Sequence, residues 1–193
     1  HLVDKAMANS TQSYTLFDLS QVKIDRGKIA SSRDFENGEY KRFKFTHSGI
    51  SPRVFLATKG AVMWYSGDEH NELGHISEEP TNRGMMVEKR MKKLDVIEKE
   101  VPIEEKINFF GDRNAKNLIV SWGSPKGAIL EAIHKLADEG FSLGFMQVRM
   151  VHPLPKEHIA NMFQGARKIV DVEMNYSGQL GDIIREKTGI SVN

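Results

Sequence analysis

The chain contains no cysteine. That absence excludes a disulfide framework, a Cys-ligated zinc site, an iron–sulfur cluster and a thiol nucleophile carried by these residues. It is compatible with a cytosolic protein. No charge of one sign dominates either. Lys and Arg number 27, Asp and Glu 26, and the formal net charge is +1. Nucleic-acid binding needs a basic excess on one face, so that class is not expected. No apolar run approaches the ~18 residues of a membrane span. No basic segment followed by an apolar stretch and a small-residue cleavage site marks a signal peptide. Also missing are G-x-G-x-x-G, a Walker lysine pattern and G-x-S-x-G.

What is present is an ordinary globular mixture. The 193 residues are 39% hydrophobic and 27% charged, enough for one domain, or for one domain and a long arm. The chain opens on His1 in HLVDKAMANS and stops in GISVN, where a further strand is expected after a helix. A portion of a longer polypeptide is the expectation.

The last third is regular. NLIVSW (117–122), LGFMQVRM (143–150) and KIVDVEM (168–174) are short apolar runs that read as strands. Each is followed by helical spacing. Ile129, Leu130, Ile133, Leu136 and Ala137 follow Ser124-Pro125. Ile159, Met162 and Phe163 follow Pro155. Leu180, Ile183 and Ile184 follow Ser177. Gly140, Gly165 and Gly189 end the helices. Ser124 and Ser177 are expected to be helix caps. Parallel strands need such crossovers, so an α/β fold is predicted, with a small open parallel sheet of three or more βα units over residues 111–193.

Residues 1–110 read as an extended arm, loops and one helix. Asn37-Gly38 signals a turn between two extended stretches. TNRGMMVEKRMKKLDVIEKE (81–100) is the helix, with Val87, Met91, Leu94 and Ile97 on one face and Pro102 beyond its end. Lys89-Arg90 and Lys92-Lys93 are interleaved with Glu88, Asp95 and Glu98 and read as a salt-bridged face. An irregular arm of this length is expected to pack on a neighbour.

The densest polar stretch is Ser66-Gly67-Asp68-Glu69-His70-Asn71-Glu72-Leu73-Gly74-His75. Three readings are open. His70 and His75 with Asp68 or Glu69 carry metal-ligating groups, but the spacing is not that of a helical metalloprotease pair and fixes no third ligand, so no metal is assigned. The stretch is otherwise a solvated loop, or an ordered loop that reaches a ligand or partner. Asp68, Glu69, His70 and His75 are the candidate catalytic loop on the last of these.

Open α/β sheets bind ligands at the carboxyl ends of their strands. Ser124, Asn175 and Ser177 lie there and are candidate cofactor contacts. Gly123-Ser124-Pro125-Lys126-Gly127 is phosphate-loop-like only superficially. His152 beside Pro153 reads as a turn histidine. Glu173, at the end of an apolar strand, must be paired or reach an interface.

VSWGSPKGAILEAI (120–133), GFMQVRMVHPLP (144–155) and VDVEMNYSGQLGDIIREKTG (170–189) closely resemble the C-terminal domain of the α subunit of archaeal-type 2-oxoacid:ferredoxin oxidoreductases. Residues 46–94, which include GDEHNELGHISEEPTNR, resemble the segment that precedes it. The resemblance implies a transketolase C-terminal-like domain within a thiamine-diphosphate enzyme. Such an enzyme decarboxylates 2-oxoacids oxidatively, forms acyl-coenzyme A and reduces ferredoxin. It further implies Mg2+, a 4Fe–4S cluster and coenzyme A in the complete enzyme. The implied partners are a pyrimidine domain of the same subunit, upstream of these residues, a β subunit with the diphosphate site and cluster cysteines, and ferredoxin. No nucleic acid or membrane is implied, and the setting is cytoplasmic. The Lys/Glu pairs and absent cysteines fit a thermophile. The sequence has neither Y-P-I-T-P nor G-D-G…N, so the resemblance transfers no cofactor contact to any residue here. Assembly and shaping of the active-site surroundings are the roles it implies for this portion. The alternatives are a stand-alone interaction module and an independent nucleotide-binding α/β domain.

Overall fold

The computed structural model describes residues 2–36 and 39–193. They form two compact units. One comprises residues 2–14 and Glu98–Asn193, the other Thr15–Ile97. Among the described residues no helix is long and apolar enough to cross a membrane.

The first unit holds a short helix α1 (Lys5–Asn9). The second unit is mostly irregular. Strands β1 (Phe35–Glu36) and β2 (Glu39–Tyr40) pair antiparallel, with Phe35 opposite Tyr40. The expected turn residues Asn37 and Gly38 lie outside the described residues. Tyr40 is buried, and its hydroxyl donates to the Pro52 carbonyl at 2.7 Å. Helix α2 (Pro80–Glu100) opens with Pro at its first position, and the Glu79 carboxylate accepts from the Thr81 and Asn82 amides at 2.9 and 2.6 Å.

The inward face of α2 is not the expected one. Met86 and Lys89 are buried, while Val87, Met91 and Ile97 are exposed and Leu94 is half-buried. The reason is a close backbone approach. Gly49, at φ +73°, sits where a Cβ would strike the Lys89 carbonyl, so the chain rests on that side of the helix.

In the first unit the short helix α3 (Ile103–Lys106) leads into a four-stranded sheet: β3 (Ile107–Gly111), β4 (Asn117–Ser121), β5 (Leu143–Val148) and β6 (Lys168–Asp171), in the order β3-β5-β4-β6. The three strands expected from the sequence are parallel. A fourth, β3, joins the edge antiparallel to β5, Ile107 opposite Val148. It lies across the 110/111 boundary drawn from the sequence. Asn193 begins to pair along the free edge of β6, its amide donating to Ile169 at 3.0 Å and its carbonyl accepting from Asp171 at 2.8 Å.

Alternate residues of each strand face opposite sides. Leu118, Val120, Met146, Val148 and Ile169 pack on α5 (Lys156–Phe163) and α6 (Gln179–Thr188), through Ile159, Phe163, Leu180 and Ile184. Phe145 and Ile119 face α4 (Lys126–Asp138), through Ile129 and Ile133. The chain thus crosses one face from β4 to β5, through α4, and the other face from β5 to β6, through α5. The order of connections reverses between β4 and β6, and their carboxyl ends form the switch point where open α/β sheets bind ligands.

Candidate functional site

The loop 66–77 is folded on itself. His70 and Ile76 form an antiparallel bridge, the Asn71 amide donates to the His75 carbonyl at 2.9 Å, and the Asn71 side chain accepts from the Leu73 and His75 amides. Gly74, at φ +94°, turns the chain where a Cβ would collide with the Trp64 carbonyl and crowd Phe43. Two glutamates bolt the loop down. Glu69 accepts two bonds from Arg90 at 3.0 and 2.7 Å, and Glu72 takes Lys41 at 3.1 Å and the Phe45 amide at 2.8 Å. The Arg90 bonds hold the Glu69 carboxyl down at about 2, against the opposing effect of burial.

The structure therefore separates the four candidates of this loop. Glu69 is an anchor. His70 lies against Phe43, ring centroids 4.1 Å apart, while His75 meets Trp64 edge-on at 5.2 Å. Asp68 is exposed on an open cavity of about 610 Å³ with Ser77, Glu78 and Arg83. Among the described residues no group of three or more His, Asp or Glu side chains is gathered as metal donors.

At the switch point the two serines do not cap by their side chains. The residue before α4 is Pro125, and neither α4 nor α6 has a side-chain cap at that position. Ser124 instead gives its amide, at 2.8 Å, and its hydroxyl to Asp4. Asn175 does the work expected of Ser177: its Oδ1 accepts from the Gly178 and Gln179 amides at 2.8 and 3.1 Å. A side chain two residues earlier outcompetes the hydroxyl because it reaches both amides from the loop before the helix.

Asn175 also donates to Glu173 at 2.5 Å. Glu173 further accepts from the Trp122 indole at 2.7 Å, which crosses from the end of β4 to the end of β6, and from the Leu180 amide at 2.6 Å. Asp171 stands beside it and accepts from Gly181 at 2.9 Å. Burial, and then the neighbouring Glu173, push the Asp171 carboxyl up to about 7. Burial would raise Glu173 too, but the bonds from Asp171, Trp122, Asn175 and Leu180 hold it low. The two carboxyls are thus pushed apart, Glu173 below its ordinary value and Asp171 above it. Asp171 Oδ1 is buried without a hydrogen-bond partner. Glu173 is paired, as its place on an apolar strand required. Asp171 and Trp122 were not singled out from the sequence for any role. The signal was the Asp-x-Glu spacing, which puts two carboxylates on one face of a strand.

A cavity of about 560 Å³ opens at the carboxyl ends of β4 and β5, lined by Leu2, Glu105, Trp122, Gln147, Arg149 and His152. Arg149 donates to the Glu104 carbonyl at 3.1 Å. His152 is exposed at its rim.

These residues do not suit the groups that the family resemblance implies for the complete enzyme. A 4Fe–4S cluster needs cysteines, and there are none. A diphosphate-bound magnesium needs a gathered set of oxygen donors, and the carboxylates at the switch point are consumed by their own amides and by each other.

Residues 115–191 match the family model described as pyruvate:ferredoxin oxidoreductase core domain II. The whole chain is 47% identical to part of 2-oxoacid:ferredoxin oxidoreductase 1, subunit alpha, of Sulfurisphaera tokodaii, and spans 30% of that relative. It is 43% identical, over 98% of its length, to the corresponding subunit of Saccharolobus solfataricus, again spanning 30% of it. Among solved structures, the 2-oxoglutarate:ferredoxin oxidoreductase of Magnetococcus marinus, with 2-oxoglutarate, coenzyme A and succinyl-CoA bound, is similar over 90% of this chain and 29% of that one, at 28% identity and a TM-score of 0.75. The chain spans about 30% of the length of these relatives, and over that span it is similar to the α subunits of 2-oxoacid:ferredoxin oxidoreductases, its residues 115–191 matching their core domain II.

Proposed function

We propose that this chain is an assembly and framing portion of the α subunit of a thiamine-diphosphate-dependent 2-oxoacid:ferredoxin oxidoreductase. The complete enzyme would decarboxylate a 2-oxoacid, join the acyl group to coenzyme A and pass the electrons through a 4Fe–4S cluster to ferredoxin. Thiamine diphosphate and Mg2+ would sit between an upstream pyrimidine domain of the same subunit and a β subunit. A cytoplasmic setting and a thermophilic source accompany this reading. The carrying observation is the 47% identity over the whole chain to an α subunit. The chemistry of the chain supports a framing role. Its polar clusters are spent internally: Glu69 on Arg90, Glu72 on Lys41, Asn71 on its own loop and Glu173 on Trp122.

The test is reconstitution of an α subunit containing this sequence with its β subunit. 2-Oxoacid-dependent, coenzyme-A-dependent ferredoxin reduction is expected from the complex and none from this chain alone. Native mass measurement is expected to show the β subunit in the particle. A chain that forms no complex would favour a stand-alone interaction module, and tight nucleotide binding by the chain alone would favour a nucleotide-binding domain. The loop 66–77 is tested separately by replacing Glu69 and His70 with alanine in the complex. Unchanged decarboxylation, coenzyme A affinity and assembly would remove that loop from the functional surface.

A further inference from the structure

Lys89 has the least expected environment in the second unit. It is the middle of a 21-residue helix, yet only 7% of its surface is exposed. Its neighbours Arg90 and Lys92 form ion pairs, with Glu69 at 2.7 Å and Glu88 at 2.9 Å. The salt-bridged face expected from the sequence therefore holds for those two and fails for Lys89. Among the described residues no carboxylate pairs with Lys89. Its ammonium lies 6.0 Å from the centre of the Phe43 ring, and the Arg42 guanidinium lies 5.3 Å from the same centre.

Around this ring the charge balance is one-sided. Lys89 faces Lys93 and Arg90 from its own helix, Arg42 from the loop after β2, and Glu72 from the loop 66–77. Of these, Arg90 is neutralised by Glu69. Glu72 is already taken by Lys41 and the Phe45 amide. Arg42 reaches a neutral partner, the Tyr65 hydroxyl at 3.4 Å. Lys89, Arg42 and Lys93 thus lie near one another, and among the described residues the one carboxylate acting on Lys89, Glu72, is already committed. A buried ammonium without a paired anion is costly, and an aromatic face offsets only part of that cost. The group is not sealed in, since the one fully enclosed side-chain polar atom without a hydrogen bond among the described residues is Asp171 Oδ1.

We infer that Lys89 and Arg42, both set against the Phe43 ring, together with Lys93 one turn along α2 from Lys89, form a binding site for a small oxyanion, a carboxylate or a phosphate group. A guanidinium and a desolvated ammonium supply charge-assisted donors to such a group. Burial, followed by repulsion from Lys93, Arg42 and Arg90, holds the Lys89 amine down at about 8. A bound anion reverses the second of these effects.

The test uses the whole chain with isotope-labelled lysine side chains, followed by NMR as inorganic phosphate and, separately, 2-oxoglutarate are added. Saturable shifts of Lys89 and an upward move of its titration are expected with at least one of the two, and the comparison tells phosphate from carboxylate recognition. Lys89→Met and Arg42→Gln are each expected to weaken that binding by roughly 10-fold or more, about one charge-assisted contact. Lys135→Met, a surface change in the other unit, is expected to leave it unchanged. Shifts that rise linearly with both anions would mean ionic screening alone and would overturn the site. So would saturable binding that survives both variants. If Lys89→Met does not fold, Arg42→Gln and the Lys89 resonance of the unaltered chain decide.

Discussion

Asp171 and Glu173 lie side by side at the end of β6 and divide their hydrogen bonds unequally. Glu173 takes the Trp122 indole, the Asn175 amide and the Leu180 amide, while Asp171 takes the Gly181 amide and keeps one buried oxygen without a donor. The Glu173 carboxyl is thereby held below its ordinary value, and burial beside it raises the Asp171 carboxyl.

The pH dependence follows with opposite signs. Asp171 is raised to about 7, so its contribution to stability is full below the ordinary carboxylate range and declines as pH rises through about 7. Asp171→Asn keeps a donor toward Glu173 and is expected to abolish that decline. At pH 8 it should be neutral or stabilising by roughly 1 kcal/mol, because a buried charge is no longer formed. Glu173 is lowered, so its contribution is lost on acidification. Glu173→Gln should destabilise at neutral pH. Denaturant unfolding between pH 4 and 8 measures both.

Glu69 and Arg90 form a two-bond pair that ties the loop 66–77 to α2. Glu69 is depressed to about 2, so the support it gives is present above the ordinary glutamate range and fades as pH falls toward 2. Arg90 is largely exposed, and solvent screening keeps the pair modest. A double-mutant cycle with Glu69→Gln and Arg90→Gln is expected to give a coupling of about 0.5–1 kcal/mol.

Gly74→Ala is expected to be far more costly. The residue would need a left-handed backbone and its Cβ would meet the Trp64 carbonyl, a backbone atom that cannot swing aside. A loss of roughly 2–3 kcal/mol and faster proteolysis between residues 66 and 77 should follow. Gly67→Ala, where a Cβ meets nothing within 4 Å, serves as the control.

Phe145 is fully buried and stacks on Phe110 at 5.6 Å, on the face of the sheet covered by α4. Phe145→Ala should cost about 3–5 kcal/mol, the usual result of emptying an aromatic site in a packed core. Thermal unfolding followed by circular dichroism measures it.

Much of this molecule is written in local pattern. The three βα units follow from apolar runs starting at 117, 143 and 168, because strand and helix periodicity are properties of a dozen neighbouring residues. The Pro80 start and the end of α2 before Pro102 are equally local. Other features depended on residues distant in sequence. The strand β3 was not expected, since its antiparallel place beside β5 is a matter of which edge is free. Helix α2 turned Met86 and Lys89 inward because Gly49 comes close to that side, and no periodicity within the helix records where another loop will pass. Ser177 carries a good cap's side chain, but Asn175 was placed to reach the amides. The sequence alone determined which elements form, because hydrogen-bond periodicity and side-chain size act within a few residues. The tertiary structure decided which charges meet and which stay unpaired, because Coulomb interactions and burial depend on neighbours that only folding brings together.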